Sequence, residues 1–420
     1  MFDSDYWKEI FHTLARNRTR TFLTAFGVFW GIFMLTVMSG AGNSLRNGAM
    51  KGFEGYAKNS AYIWAQPTGK PHAGFSRGRE WHINLRDIEV LKQRIPELKT
   101  VAPRLHGEGG TGNNVSRGER SASFSVVGDF PSWFEIEPMK IVRGRFLNPF
   151  DIREQRKVCV IGKRVAEVLF DPSENPIGKK IRVSGGYFRV IGVVRPVSAQ
   201  DRQKNKTVHL PFTTLGRLFN LGDDIHYMGV TPRDGVRVST LETKIIDVLK
   251  QRHAISPEDS QAVGHVNIER QYQKMTGLFF GISALSWAVG IGTLAAGVIG
   301  ICNIMLLVIK ERTRELGIRR ALGATPRQIR LQIICESAVL TFAAGYTGLV
   351  AGVALLEIAN RVLMQGAAES GEEAMFLNPS ISFEAALVSL AVLVVCGILA
   401  GLLPAHRAVG MKPVEAIQGE

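Results

Sequence analysis

Four runs of the chain carry almost no charge. Residues 21–45, 275–309 and 385–403 hold no Asp, Glu, Lys or Arg, and residues 333–356 hold only Glu336. At about 1.5 Å per helical residue the first run reaches roughly 37 Å, enough to cross a hydrocarbon core of about 30 Å. The second would reach roughly 53 Å, about 20 Å more than the lipid requires, so it is expected to continue beyond the membrane as a stalk. Ahead of the first run, Tyr6, Trp7, Ile10, Phe11 and Leu14 share one helical face, with Lys8, Glu9, His12, Arg16 and Arg18 on the other. That pattern predicts a helix lying flat in the membrane interface, in contact with lipid.

Between residues 46 and 275 the period changes. Asn84 opens a helix through Ile95, with Ile88, Leu91 and Ile95 on one face and Pro96 as its stop. Segments 121–127, 157–161, 179–183 and 187–194 alternate or run β-branched, as strands do, and Ser184-Gly185-Gly186 between the last two reads as a hairpin turn. Ser239-x-x-Glu242 predicts a capping box opening a helix to about residue 251. The block is therefore expected to be an α+β domain with its own core, in which two strand–helix pieces flank an inserted, more β-rich subdomain.

Charge orients these pieces. The chain of 420 residues has 51 Lys and Arg against 37 Asp and Glu, a formal charge of +14, and a mean hydropathy of only +0.06. No basic stripe with interleaved aromatics accompanies that excess, so nucleic acid is excluded as a partner and positive flanks on membrane spans account for it. Arg16, Arg18 and Arg20 put the N-terminus inside; Arg407 and Lys412 put the C-terminus there too. The loop 357–384, with Glu369, Glu372 and Glu373 against Arg361, belongs outside. The expected order is an inner-leaflet helix (1–20), a first span (21–45), the external domain (46–275), a stalk and second span (276–309), a cytoplasmic segment (310–332), a third span (333–356), the outer loop (357–384), a fourth span (385–405) and a cytoplasmic tail (406–420). The fold class is thus an α-helical membrane protein with four transmembrane helices and a large α+β extracytoplasmic domain. Each span holds a Gly-xxx-Gly pair: Gly27 and Gly31, Gly277 and Gly281, Gly348 and Gly352, Gly397 and Gly401. Glycines at this spacing let helices approach closely in lipid, and one pair could equally serve pairing between copies.

The stretch 310–332 is too basic to lie in lipid, carrying Lys310, Arg312, Arg314, Arg319, Arg320, Arg327 and Arg330. It is also too patterned for a plain connector. Glu311, Arg314, Glu315 and Arg319 form opposite-sign pairs at helical spacing. Gly323 reads as a helix stop, and Thr325-Pro326-Arg327-Gln328 as a capping box with Pro in the first turn of the next helix. Leu316, Ile318 and Leu322 add apolar knobs that a solvated loop would not need.

The string ERTRELGIRRALGATPRQI closely resembles the cytoplasmic coupling segment of MacB/FtsX-type ABC transporter permeases. RNRTRTFLTAFGVFWGIFM resembles that family's first-helix entry, and VVGDFPSWFEI, IVRGRFL and VCVIGKRVAEVLF with NPIGKKIRVSGGYFRVIGVV resemble its periplasmic domain. PAHRAVGMKPVEAI resembles its C-terminal exit. The resemblance implies a multi-pass permease of the cell inner membrane that moves an extracytoplasmic domain for export or efflux by mechanotransmission. It implies that Arg314, Glu315, Leu316, Gly317, Ile318, Arg319, Arg320, Ala321, Leu322, Gly323 and Ala324 dock on an ABC ATP-binding subunit. A second permease copy or a sister permease would complete a dimer, and a periplasmic adaptor and outer-membrane channel are further partners the family uses. MacB proteins carry an ATPase domain ahead of the permease that has no counterpart here, so ATP and Mg are expected on a partner chain and no cofactor on this one.

Other chemistry is missing from the pattern. There is no G-x-x-x-x-G-K-[ST], no H-E-x-x-H and no G-x-S-x-G. His72 and His106 sit in glycine-rich stretches and read as solvated. His209 and His226 lack ligands at metal spacing, so no metal and no catalytic residue is assigned. Cys159, Cys302, Cys335 and Cys396 offer no disulfide framework, and Cys159 reads as a small buried hydrophobe. Glu336 and Glu357, at the ends of the third span, stand as the intramembrane ionisable groups. Competing readings are an FtsX-like regulator acting on a cell-wall hydrolase, a lipoprotein-release permease, and a tethered external enzyme, the last disfavoured by the missing catalytic constellation.

Overall fold

The computed structural model describes residues 18–107, 113–198, 201–370 and 383–410. In chain order the helices are α1 (Arg18–Lys51), α2 (Leu85–Arg94), α3 (Trp133–Ile136), α4 (Pro149–Arg153), α5 (Lys163–Leu169), α6 (Arg202–Asn205), α7 (Phe212–Leu218), α8 (Val238–Arg252), α9 (Ile268–Glu311), α10 (Thr313–Ala321), α11 (Pro326–Ser370) and α12 (Phe383–Gly410). The strands are β1 (Ala61–Ala65), β2 (Ile83–Asn84), β3 (Leu98–His106), β4 (Asn113–Arg117), β5 (Arg120–Asp129), β6 (Met139–Gly144), β7 (Val158–Gly162), β8 (Lys180–Val183), β9 (Gly186–Pro196), β10 (Thr207–Pro211), β11 (Asp224–Ile225), β12 (Tyr227–Pro232) and β13 (Val263–Asn267). The chain divides into two compact units, one of residues 50–276 and one of residues 1–49 with 277–420.

The first unit is α+β. Strands β3, β12, β1 and β13 lie side by side in that order and all antiparallel, with α2 joining β1 to β3 by way of β2, and α8 joining β12 to β13. This is a split βαβ arrangement of the ferredoxin type. Its helices bury Ile88, Leu91, Leu241, Ile245 and Leu249 against Ile63, Val101, Met228 and Val230. Between the second and third strands of this frame, residues 113–211 supply β4 to β10. Strand β10 pairs with both β5 and β7, closing a ring β5–β10–β7–β9–β8–β4 that returns to β5. The insert is thus a six-stranded barrel, and β3 pairs with β5 to carry the frame's sheet into it. Pairing continues without a break from β10 to β13.

Local signals explain several elements. Asn84 caps α2: its side chain accepts from the Asp87 N–H at 3.1 Å, and Asp87 accepts from the Asn84 N–H at 2.9 Å. Ser184 and Gly185 form the two-residue turn between β8 and β9, both at positive φ (43° and 91°), as the right-handed twist of a hairpin demands. The capping box expected at Ser239 does not form. Helix α8 starts two residues earlier, with Arg237 at its cap in place of Ser239. Ser239 donates instead to Glu269, and Glu242 is engaged by Asn267 and Arg270. Cys159 is fully buried, and burial pushes its thiol pKa up.

The second unit is helical, and its helices outrun the uncharged runs that predict them. Helices of 44 and 45 residues run over Ile268–Glu311 and Pro326–Ser370. Apolar stretches long enough to cross a membrane lie at Ala25–Lys51, Ile268–Glu311, Pro326–Leu363 and Ala391–Gly410. Helix α9 begins eight residues before the expected stalk because Asn267 caps it, accepting from the Arg270 N–H at 2.9 Å. The segment expected as an outer loop from residue 357 is helical as far as Ser370, where no proline intervenes and Glu357 pairs with Arg361 at 3.1 Å. Helix α12 likewise continues through Pro404 into the predicted tail. The amphipathic arm, save for residues 18–20 at the start of α1, lies outside the described residues, as do residues 371–382 and 411–420.

Candidate functional site

The basic stretch folds as helix, turn and helix. After α9 ends at Glu311 a one-residue break at Arg312 leads into α10. Its C-terminus closes in a Schellman motif: the Ala324 N–H donates to the Arg319 carbonyl at 3.0 Å, and the Gly323 N–H to the Arg320 carbonyl at 3.1 Å. Gly323 takes φ +99°, which only glycine adopts without cost. Thr325 then starts α11, its N–H donating to Gln328 Oε1 at 2.8 Å, with Pro326 as the first helical residue. The turn forms where its sequence predicts it, with one half of the expected capping box: the Gln328 N–H donates to the Thr325 carbonyl at 3.0 Å and not to its hydroxyl.

The three knobs divide. Leu316 is 9% exposed and joins a cluster with Met305, Ile309, Ile329, Ile333, Ala405 and Ala408, so α10 is keyed into the ends of α9, α11 and α12. Gly317 beside it is buried as well. Ile318 and Leu322 point away, 44% and 84% exposed, with Ala321, Gly323 and Arg314 exposed around them, Arg319, Arg320 and Ala324 half-buried, and Glu315 at the surface. The arginines also divide. Arg319 donates to Glu315 at 3.0 Å and Gln332 at 3.4 Å. Arg320 donates to the Val409 carbonyl at 3.0 Å, fastening α10 to the last turn of α12. Arg312 reaches Glu336 at 3.6 Å, so the buried carboxylate of the third apolar run is ion-paired. Sequence distance hid these holding contacts, since Arg320 and Val409 are 89 positions apart.

The glycines show where the helices meet. A methyl on Gly27 would lie 3.2 Å from the Cα of Gly297, and one on Gly31 3.3 Å from the backbone of Leu294, joining α1 to α9. Gly348 would meet the Phe29 carbonyl at 2.5 Å and Gly352 the Thr36 side chain at 2.6 Å, joining α1 to α11. Gly397 and Gly401 would meet the backbone of Ala338 and Ile334 at 3.1 and 2.9 Å, joining α11 to α12. Gly277 and Gly281 have no atom of the described residues within 4 Å of such a methyl.

Two histidines depart from the reading of solvated or isolated side chains. His106 ends β3 and stacks on His226 and Tyr227, with ring centroids 6.2 and 5.1 Å away. His209 is buried, its Nδ1 2.7 Å from Asp129 Oδ2. Asp129 and Glu137 both bond Arg104, which lies 3.8 Å from the Trp133 ring. Burial pushes both carboxyls up, but Arg104 above all offsets this and holds them below their ordinary range.

Two family models match: the MacB-like periplasmic core domain over residues 21–248 and the FtsX-like permease C-terminal region over residues 277–413. The chain is 30% identical over 411 residues to the pyoverdine export ATP-binding/permease protein PvdT of Pseudomonas putida, covering 96% of this chain and 58% of that protein. It is 28% identical over 414 residues to the macrolide export ATP-binding/permease protein MacB of Bdellovibrio bacteriovorus, covering 98% and 61%. The chain therefore spans about three-fifths of the length of these relatives. The crystal structure of the periplasmic region of MacB from Actinobacillus actinomycetemcomitans aligns with 53% of this chain and 95% of its own at 22% identity and a TM-score of 0.43. With an α+β domain matching the periplasmic core and a helical unit matching the permease region, the chain belongs to the MacB/FtsX family of ABC transporter permeases.

Proposed function

We propose that this permease works as a lever in an export system driven by an ABC ATP-binding subunit, which holds the ATP and Mg and docks on Ile318 and Leu322 at the tip of the basic hairpin. The observation that carries this reading is the division of the knobs: two exposed apolar side chains beside Arg314 and Arg327, and a third, Leu316, locked into the helix ends behind them. Interior packing transmits strain rather than absorbing it, so force on the tip moves the ends of α9 and α11 together. Helix α9 is unbroken from Ile268, and at about 1.5 Å per residue its 44 residues span roughly 66 Å, twice the lipid core. Its first turns are bonded into the α+β domain through Glu269 with Ser239 and Arg270 with Glu242. The hairpin and both termini then lie in the cytoplasm of an inner-membrane protein, with the α+β domain outside. A second copy or sister permease would complete a pair of ATP-binding sites, and an adaptor and outer-membrane channel would receive the exported molecule.

Leu322→Asp combined with Ile318→Asp tests this. The expected outcome is loss of co-purification with the ATP-binding subunit and of export, with insertion and thermal stability unchanged. Retained export at the normal rate contradicts the docking role. Arg320 is the wrong residue for this test, because it holds α12.

A further inference from the structure

The ferredoxin-type sheet has two faces, and α2 and α8 cover one of them. On the other lie α3, where the lack of a side chain at Gly229 admits Ile136, and Phe53, Tyr56 and Ile268 beside it. Beside α3, Tyr62 and Trp64 of β1, Tyr227 of β12 and His106 of β3 line a wide-mouthed cavity of about 510 Å³, together with Tyr56 and Glu137. That volume falls within the range of roughly 300–1,000 Å³ that small-molecule sites occupy. Every lining residue belongs to the α+β unit.

The wall has a definite electrical character. Aromatic rings present electron-rich faces. Burial, then Arg104 for His106 and in spite of Asp224 for His226, holds both imidazoles below their ordinary pKa of 6.5, so they are uncharged near neutrality. The Tyr62 hydroxyl donates to Glu137 Oε1 at 3.1 Å, and that carboxylate is ionised. The nearby cations are already engaged: Arg104 with Asp129, Glu137 and the Trp133 ring, and Lys204 with Asp201 at 2.9 Å, the Gly55 carbonyl and the Tyr56 ring at 3.9 Å. Behind the wall the carboxylates of Asp129, Glu137 and Asp201 thus face Arg104 and Lys204, with His209 against Asp129.

We propose that this cavity is a binding site for a flat, monocationic organic molecule, an aromatic or heteroaromatic ring system bearing a delocalised or quaternary positive charge. Its ring stacks against Trp64 and Tyr227, and its charge is held by the π faces and the Glu137 carboxylate. The site is independent of the coupling hairpin, so binding needs no nucleotide and no partner.

The test uses the full chain in lipid nanodiscs without ATP, with binding measured by equilibrium dialysis against empty nanodiscs. The probes are ethidium, a flat monocation, and 8-anilinonaphthalene-1-sulfonate, an anion of similar size. The expected result is saturable ethidium binding at one site per chain, at least about tenfold tighter than the anion, and weakened at least about fivefold by Trp64→Ala. Val266→Phe, which fills the cavity with an apolar group, is the second variant and should weaken ethidium equally. Both variants are checked for cooperative thermal unfolding. No saturable ethidium binding, equal binding of the anion, or unchanged ethidium affinity in both folded variants would overturn the proposal.

Discussion

In the helical unit the helices meet where a side chain is missing, whereas the α+β domain also holds charges that meet deep in its interior. Gly27 lies on Gly297, Gly348 on Phe29 and Gly401 on Ile334 because nothing intervenes between the backbones. Lipid tails are as apolar as leucine, so burying another leucine gains a membrane helix little, while shape complementarity gains it dispersion contacts. The domain is surrounded by water and can draw on the hydrophobic effect for its core. It can then place Arg104, Asp129 and Glu137 inside, provided each finds its partner. Close helix approach in one unit and buried charge pairing in the other are thus separate supports, and different substitutions should harm each.

The largest effect is expected at Arg104. Arg104→Met leaves Asp129 and Glu137 buried without their main partner and should cost about 3–5 kcal/mol in unfolding of the domain. Tryptophan fluorescence of the full chain during denaturation measures this. The pH dependence sharpens it. Asp129 and Glu137 are held below their ordinary values of 3.8 and 4.5, so their contribution is present above that range and lost as pH falls through it. His106 and His226, held below 6.5, act in the same direction from about pH 6.5 downward, because the unfolded chain takes up protons that the folded one refuses. Without Arg104 the carboxyls no longer gain from being charged, so the gap between parent and variant should narrow as pH approaches 3. A gap that stays constant would contradict the ion-pair account.

A smaller effect separates the glycines. Gly348→Ala places a methyl against the backbone carbonyl of Phe29, which cannot swing away, and should cost about 1–3 kcal/mol of thermal stability. Gly277→Ala meets none of the described residues and should be neutral, or gain up to about 1 kcal/mol from helix propensity. Equal losses at the two positions would show that spacing alone, not approach, decides. The smallest effect belongs to the hairpin. Gly323→Ala forces an alanine to φ +99° and should cost about 1–2 kcal/mol locally, visible as faster amide exchange over residues 320–325 while global stability is unchanged.

What could be read from the chain was local. Asn84 with Asp87, Ser184-Gly185, and Gly323 followed by Thr325-Pro326 each specify their structure within a few residues, and each turn or cap forms there, the box at Thr325 by its Gln328 half alone. Uncharged runs gave the spans but not their ends, because a run stops at the first charge and a helix does not: α9 begins at Ile268 and α11 continues to Ser370. Ser239 misled because Glu242, a fitting partner by spacing, is taken by Asn267 and Arg270. The aromatic cavity was illegible for the same reason. Its walls come from residues 56, 62, 64, 106, 137, 226, 227, 266 and 268, which the sheet order brings together. In the hairpin the sequence supplied the turn and the knobs, but only packing shows that Leu316 is the root and Leu322 the tip.

The most direct measurement places a photo-crosslinking amino acid at position 322 in intact cells and identifies what it joins. The lever account predicts a covalent product with an ABC ATP-binding subunit. A product formed only with lipid, or with a protein on the outer side of the membrane, would contradict it.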